Sequence, residues 1–359
     1  MADGHENNLE EIQTPLGAMK RPGRVLIVKP SSLGDVVTAM PVLRGLRRTF
    51  PQAHIAWLVS NACAPLIQGD SDLNETIIFE RKKLGAAWRS LASLRALKAL
   101  TAALRRGRFD WAIDLQGLFR SAYFTAATRA PLRAGFADAR EGASRFYTHR
   151  VAVSAAHTVD RNIELARQLG VDARPEDFSL QVSPSAASQA AELCQNHDLP
   201  EKGFILCVPP TRGAVKQYPL RHWREVVAAL SRRMPVALGG SAGAGEMELC
   251  RAVAEGQDGR VVNLAGQTDI PRLVALVARS RLVVCNDSAV KFIAPAVGVD
   301  VVTLIGPTRV DMTGPYLRGQ AVVAEVPCQG CLKRRCRHAA CMEMILPSRV
   351  VQAVLSRLG

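Results

Sequence analysis

From Arg24 onward the chain alternates short apolar runs with longer stretches in which apolar residues recur every three or four positions. The runs Arg24 to Val28, His54 to Val59, Glu75 to Phe79, Asp110 to Asp114 and Arg133 to Phe136 predict strands, being short and rich in β-branched and aromatic residues. Between them, Val36, Met40, Leu43 and Leu46 form one helical stripe, and the Ala/Leu/Arg-rich segment Ala86 to Arg106 predicts another helix. After Gly203 the alternation restarts, with strands expected at Phe204 to Val208, Val236 to Gly239, Val261 to Leu264, Leu282 to Cys285 and Val301 to Ile305. Strand and helix in alternation build a mostly parallel sheet covered on both faces.

A chain of 359 residues is long for one compact core, so two domains are expected. The pattern divides it into a polar leader over 1–23, a first Rossmann-like domain over 24–182, a second over 183–346 and a C-terminal amphipathic helix over 347–359. At the junction Ser183-Pro184-Ser185 is expected to cap a helix from Ala187 to Cys194. Ser348 is expected to cap the last helix, with Val350, Val351, Val354, Leu355 and Leu358 on one stripe. The expected fold class is therefore α/β: two Rossmann-like parallel-sheet domains facing across a cleft, with ligands at the carboxyl ends of the strands.

Composition narrows the partners. No apolar run approaches the roughly 18 to 20 residues that span a bilayer, and Met1 to Gly23 lacks a secretory apolar core, so a cytosolic protein is expected. The net charge of +14 points to an anionic partner: nucleic acid, a phosphorylated metabolite or an acidic membrane face. Nucleic acid is the poorest fit, because only 5% of residues are aromatic and no base-reading motif is present.

Four strand ends carry candidate chemistry. In Lys29-Pro30-Ser31-Ser32-Leu33-Gly34-Asp35 a strand runs into a turn and a helix, placing Ser31, Ser32 and Asp35 at the cleft. Asp35 reads either as a helix-terminus carboxylate or as a general base for an attacking hydroxyl, and Gly34 permits a tight turn or a close ligand. The loop Pro209 to Lys216 offers Thr211, Arg212 and Lys216 to phosphate oxygens, or is a solvated basic loop. Gly239 to Glu246 opens a helix without matching a dinucleotide or Walker fingerprint; Glu246 is a candidate ribose contact. Asn286-Asp287-Ser288-Ala289 forms a strand-to-helix turn suited to a pyrophosphate or to plain helix capping.

Of nine cysteines, Cys63, Cys194, Cys207, Cys250 and Cys285 sit among apolar neighbours and read as reduced core residues. Cys328, Cys331, Cys336 and Cys341 cluster in one basic loop; they read as ligands of structural zinc or of an iron-sulfur cluster, or as free thiols.

Taken together, Val25-Leu26-Ile27-Val28-Lys29-Pro30-Ser31-Ser32-Leu33-Gly34-Asp35-Val36, Phe109 to Ala122, Ala139-Arg140-Glu141, His157-Thr158-Val159-Asp160-Arg161, Asn286-Asp287-Ser288 and Leu304 to Thr308 resemble glycosyltransferase family 9, the ADP-heptose:lipopolysaccharide heptosyltransferases. The resemblance runs over nearly all of Arg24 to Leu358 and implies a GT-B fold, a donor of ADP-L-glycero-D-manno-heptose and an acceptor built on the Kdo sugars of lipid A. It implies that Asp35 is the catalytic base, that Lys216 neutralises the donor phosphates and that Asp287 and Ser288 form the donor-binding turn with Ala289. It also implies that Arg120 and Arg140 face the acidic acceptor, and Ser31, Ser32, Gly34, Arg81 and Lys82 are expected to join them in binding it.

Family members usually read Asp-Ser/Thr-Gly, two further residues and then His where this chain reads Asp287-Ser288-Ala289-Val290-Lys291-Phe292; Lys291 is expected to restore the lost positive charge near the donor. The expected reaction is an inverting, metal-independent transfer. Arg81, Lys82, Lys83, Arg89, Arg120 and Arg140 are expected to dock the enzyme peripherally on the cytoplasmic face of the inner membrane. The altered Asp287 to Phe292 segment motivates the alternative of a GT-B protein that has a different donor or binds without turnover.

Overall fold

A computed structural model describes residues 21–80, 90–257 and 260–358 of the chain. Most of the expected leader, together with Arg81, Lys82, Lys83 and Arg89, lies outside the described residues. The first lobe runs β1 (Arg24–Val28), α1 (Leu33–Val37), α2 (Met40–Thr49), β2 (His54–Ser60), β3 (Glu75–Phe79), α3 (Leu91–Arg106), β4 (Trp111–Asp114), α4 (Phe119–Ala127), β5 (Leu132–Phe136), β6 (His149–Val151) and α5 (Thr158–Gln168). The second lobe begins with α6 (Pro184–Gln195), β7 (Ile205–Val208), α7 (Leu220–Ser231), β8 (Val236–Leu238), α8 (Ala244–Ala254), β9 (Val261–Asn263) and α9 (Ile270–Arg279). It ends with β10 (Leu282–Asn286), α10 (Val290–Ala296), β11 (Asp300–Leu304), α11 (Val310–Thr313), β12 (Gln320–Val322), α12 (Ala340–Glu343) and α13 (Pro347–Leu358).

The strands of each lobe form one six-stranded sheet, in the orders β3-β2-β1-β4-β5-β6 and β12-β11-β10-β7-β8-β9, and every pairing is parallel. Read from its own first strand, each sheet has the order of the doubly wound dinucleotide fold. Chain direction across the sheet reverses between β1 and β4 and between β7 and β10, and such switch points open a crevice at the carboxyl ends of the strands. The all-apolar interiors of β1, β7 and β10 follow from helices covering both faces.

One face of each sheet packs outward: Leu26, Val28 and Leu58 against Leu104 and Phe124, and Ile205 and Val284 against Trp223, Val227 and Val354. The inner faces share one continuous apolar cluster, which runs from Val25, Ile27 and Trp57 through Val36 and Phe292 to Leu206 and Val283. Rather than leaving an open seam, the two lobes are joined through α1 and α10. The segment connecting the lobes adds Leu180 N–H donating to the Ala296 carbonyl at 2.8 Å.

Local signals explain several boundaries. Ser183 Oγ accepts from Ala186 N–H, so α6 starts at Pro184, ahead of the expected Ala187. The last helix starts at Pro347, which places Ser348 inside it; its buried stripe is Val350, Ala353 and Val354, while Leu355 is exposed. The edge strands β6 and β12 were not expected, since three residues each carry no readable alternation.

Candidate active site

The loops that leave β1, β4, β7 and β10 hold most of the candidate residues, at the two switch points. In the first lobe, Ser32 N–H and Ser32 Oγ both donate to Asp35 Oδ2, at 2.6 and 2.9 Å. Asp35 therefore does complement its helix terminus, as the simpler reading held. Among the described residues nothing bonds Oδ1, which leaves that oxygen able to take a proton. Beneath it Lys29 is buried, and its ammonium donates to the Leu115 carbonyl. Burial lowers the Lys29 pKa, with the Asp35 and Asp114 carboxylates pulling it the other way.

Sequence reasoning passed over Lys29, because a lysine beside an apolar run reads as the end of the strand. Arg120 and Arg140 are both exposed and follow β4 and β5, and Arg140 N–H donates to the Gly117 carbonyl at 3.0 Å, tying the two loops together. The loop after β4 is held by Asp114, which is fully buried and accepts from Tyr147 Oη (2.8 Å), Gln116 N–H (2.8 Å) and Gly117 N–H (3.1 Å).

In the second lobe Asp287 is the hub. Its side chain is only 3% exposed; Oδ2 accepts from Lys216 at 2.6 Å and from Thr308 Oγ1 at 2.5 Å, and Oδ1 accepts from Lys291. Burial alone would raise its pKa, but Lys291 and Lys216 outweigh burial and hold the carboxyl at about 2. Lys291 itself is 4% exposed, and burial pushes its pKa down despite the carboxylate beside it. The cost of burying that ammonium offsets part of what the pair contributes.

Thr211 Oγ1 donates to the Asp287 carbonyl at 2.9 Å, and Arg212 is exposed. A cavity of about 300 Å³ lies beside this hub, lined by Thr211, Gln217, Gly243, Gly245 and Glu246. Glu246 Oε2 accepts from Ser241 N–H at 2.8 Å and so shapes the start of α8. Among the described residues the backbone N–H groups of Ser288 and Ala289 bond no backbone carbonyl. A larger groove of about 600 Å³ lies between α7 and α13, away from these strand ends.

The two half-sites meet. A Cβ on Gly34 would lie 3.2 Å from the Phe292 ring and 3.6 Å from Ala289 Cα, so Gly34 is a point of close lobe-to-lobe contact rather than a turn with special backbone angles. Asp35 thus sits next to the residue that touches Ala289, and Lys216 grips Asp287 two positions earlier. His157 of the first lobe stacks on Tyr316 of the second at 4.9 Å, and Tyr316 Oη donates to Asp160. This latch, like Thr308, went unread as part of the site, because the sequence gives no sign of which distant segments meet.

The clustered thiols are arranged differently. Cys328, Cys331 and Cys336 are exposed, whereas Cys341 is buried. Backbone amides of Ala339 and His338 hold the Cys336 thiol pKa down. Among the described residues no three His, Cys, Asp or Glu side chains are gathered to hold a metal. Burial raises the Cys341 thiol pKa, and the Cys328, Cys331 and Cys336 thiols of the same loop reinforce it.

Two doubly wound parallel sheets whose switch points face one another are the GT-B architecture. The profile of glycosyltransferase family 9 (heptosyltransferase) matches residues 97–341, and the chain belongs to that family. It is 29% identical over 325 residues to lipopolysaccharide heptosyltransferase 1 of Pseudomonas aeruginosa, covering 88% of each chain. It is 28% identical over 322 residues to lipopolysaccharide heptosyltransferase 2 of Escherichia coli, covering 84% of this chain and 87% of that one. Among solved structures it is similar to E. coli ADP-heptose lps heptosyltransferase II, 26% identical with a TM-score of 0.72 over 93% of this chain and 98% of that one. The fold also matches E. coli heptosyltransferase WaaC with ADP-2-deoxy-2-fluoro heptose, 24% identical with a TM-score of 0.75 over 93% and 99% of the two chains.

Proposed function

We propose that this glycosyltransferase moves a heptose from ADP-L-glycero-D-manno-heptose to the Kdo-bearing inner core of lipid A, with inversion at the anomeric carbon. The observation that carries the proposal is the meeting of half-sites: Asp35 after β1 adjoins the segment that holds Lys216 and Asp287. An acceptor hydroxyl gives its proton to Asp35 as its oxygen attacks the anomeric carbon, and the bond from that carbon to the diphosphate oxygen breaks. The charge that develops on the leaving ADP is met by Lys216, by Thr211 and Arg212, and by the Ser288 and Ala289 amides, so no step is routed through a metal ion. The cavity edged by Glu246 takes the nucleoside.

The test is a transfer assay with a panel of nucleotide sugars and Kdo-bearing lipid A. Asp35→Asn and Lys216→Ala are each expected to lower kcat by about 10²–10³-fold, the range for loss of a positioned base or of charge stabilisation. Full turnover in Asp35→Asn would refute the assigned base. Product from another nucleotide sugar alone would instead favour an altered donor, the reading motivated by Phe292 at the usual histidine position.

The same proposal places the enzyme peripherally on the cytoplasmic membrane face, with the acceptor side toward the lipid. Supporting this, α3 carries Arg95, Lys98, Arg105 and Arg106 with no acidic residue, beside the exposed Arg120, and the whole chain carries +14. No described helix is long and apolar enough to cross a membrane. Co-sedimentation with anionic vesicles is expected to fall steeply from low to physiological salt, and salt-independent or absent binding would refute this placement.

A further inference from the structure

Asp287 has more cationic partners than its charge requires. Lys216 and Lys291 both pair with it, so two ammoniums against one carboxylate leave the group with one net positive charge. The two lysines are not equivalent. Lys216 is 32% exposed and lies in the loop after β7, beside Gly213, whose φ is +94°. Lys291 is 4% exposed and lies on α10, one turn beyond Asp287, with its ammonium 4.9 Å from the Phe292 ring centroid. Only Lys216 can swing toward the cavity lined by Thr211 and Gly243, because the Lys291 amine is enclosed and already bonded.

A diphosphate entering that cavity competes with Asp287 for Lys216. If Lys216 were the sole partner, its departure would leave a carboxylate 3% exposed without a counter-ion, facing an incoming anion. We infer that Lys291 is a positioning residue that stays on Asp287 as its resident counter-ion, so that Lys216 is released from the carboxylate to the donor diphosphate. Thr308 Oγ1, on the same oxygen that Lys216 contacts, remains as the replacement hydrogen bond after the exchange. Lys291 therefore acts through Asp287 and does not touch the donor. The inference rests on the donor reading given above, and deepens it by assigning the two lysines separate duties.

The experiment measures equilibrium binding of ADP to the full chain by calorimetry, for the wild type, Lys291→Met, Asp287→Asn and the double variant Asp287→Asn/Lys291→Met. Lys291→Met is expected to weaken ADP at least fivefold, because its lone Asp287 retains Lys216 and repels the diphosphate. In the double variant the anion is gone as well, and ADP affinity is expected to return to within fivefold of the wild type. A merely structural role for Lys291 predicts no such rescue. Less than a fivefold loss in Lys291→Met, or a double variant as weak as Lys291→Met, would overturn the inference. If Lys291→Met fails to fold, Lys291→Gln, which keeps a hydrogen-bond donor for Asp287 but no charge, takes its place under the same fivefold criteria. Failure of the wild type itself to bind ADP would sink the donor reading and this inference together, whereas an unaffected Lys291→Met alongside normal wild-type binding sinks only the inference.

Discussion

Protonation of His157 is expected to loosen the contact between the lobes, and the size of the effect follows from its bonds. Nδ1 accepts from Val159 N–H at 3.3 Å, which caps α5, while Nε2 lies 3.2 Å from the Gly314 carbonyl and must donate to it. That pattern assigns the neutral tautomer; a second proton on Nδ1 would face an N–H group. Burial lowers the His157 pKa, opposed by the Gly314 carbonyl and the Asp160 and Asp311 carboxylates and reinforced by Lys291.

The sign follows. The unfolded chain, with an ordinary value of 6.5, takes up the proton first as pH falls, so stability is full above that value and declines below it. The loss between about pH 7 and about pH 5.5 has an upper limit of about 1.3 kcal/mol, set by the unfolded value alone. Urea unfolding at both pH values, for the wild type and for His157→Phe, isolates the contribution. The Phe ring keeps an aromatic partner for Tyr316 and cannot titrate. His149 and His222, whose pKa values burial also lowers, remain in both proteins and cancel. The wild type is expected to lose more than the variant on acidification, by no more than that limit. Equal losses would refute the neutral, doubly bonded assignment.

Two further substitutions probe the scaffold. Tyr147→Phe deprives the buried Asp114 carboxylate of its 2.8 Å hydroxyl donor while leaving the Gln116 and Gly117 amides. The cost is expected to be about 1.5–3 kcal/mol in denaturant unfolding, and an unchanged midpoint would show that Asp114 does not depend on that bond. Gly45→Ala places a Cβ 2.8 Å from Ala173 Cα and 2.9 Å from its nitrogen, both main-chain atoms that cannot rotate away. Overpacking costs about 1–3 kcal/mol, and the gain of about 1 kcal/mol in helix propensity recovers only part of it. A raised unfolding midpoint would contradict that reading.

Local sequence was sufficient wherever one segment settles its own structure. The apolar interiors of β1, β7 and β10 announce strands buried on both faces, and Ser183 before Pro184 announces a helix start, because burial and capping depend on residues a few positions apart. Asp35, Lys216 and Asp287 drew notice for a related reason: each lies in the connection that follows an apolar strand. What one segment cannot carry is its partner. The grip of Lys216 on Asp287, the Thr308 hydroxyl, the Gly34 contact with Phe292 and the His157–Tyr316 stack all join segments far apart in the chain.

Lys29 and Lys291 show the point most sharply, since lysine in a sequence reads as solvated. Tertiary packing alone buries both amines and, for Lys29, supplies the Leu115 carbonyl; the Asp287 carboxylate that makes burial of Lys291 tolerable lies one turn away in its own segment. Periodicity tells which face of an element leaves water, but not which other element receives it. That choice belongs to the packing of two whole lobes against each other, and with it came the arrangement of charges around Asp287.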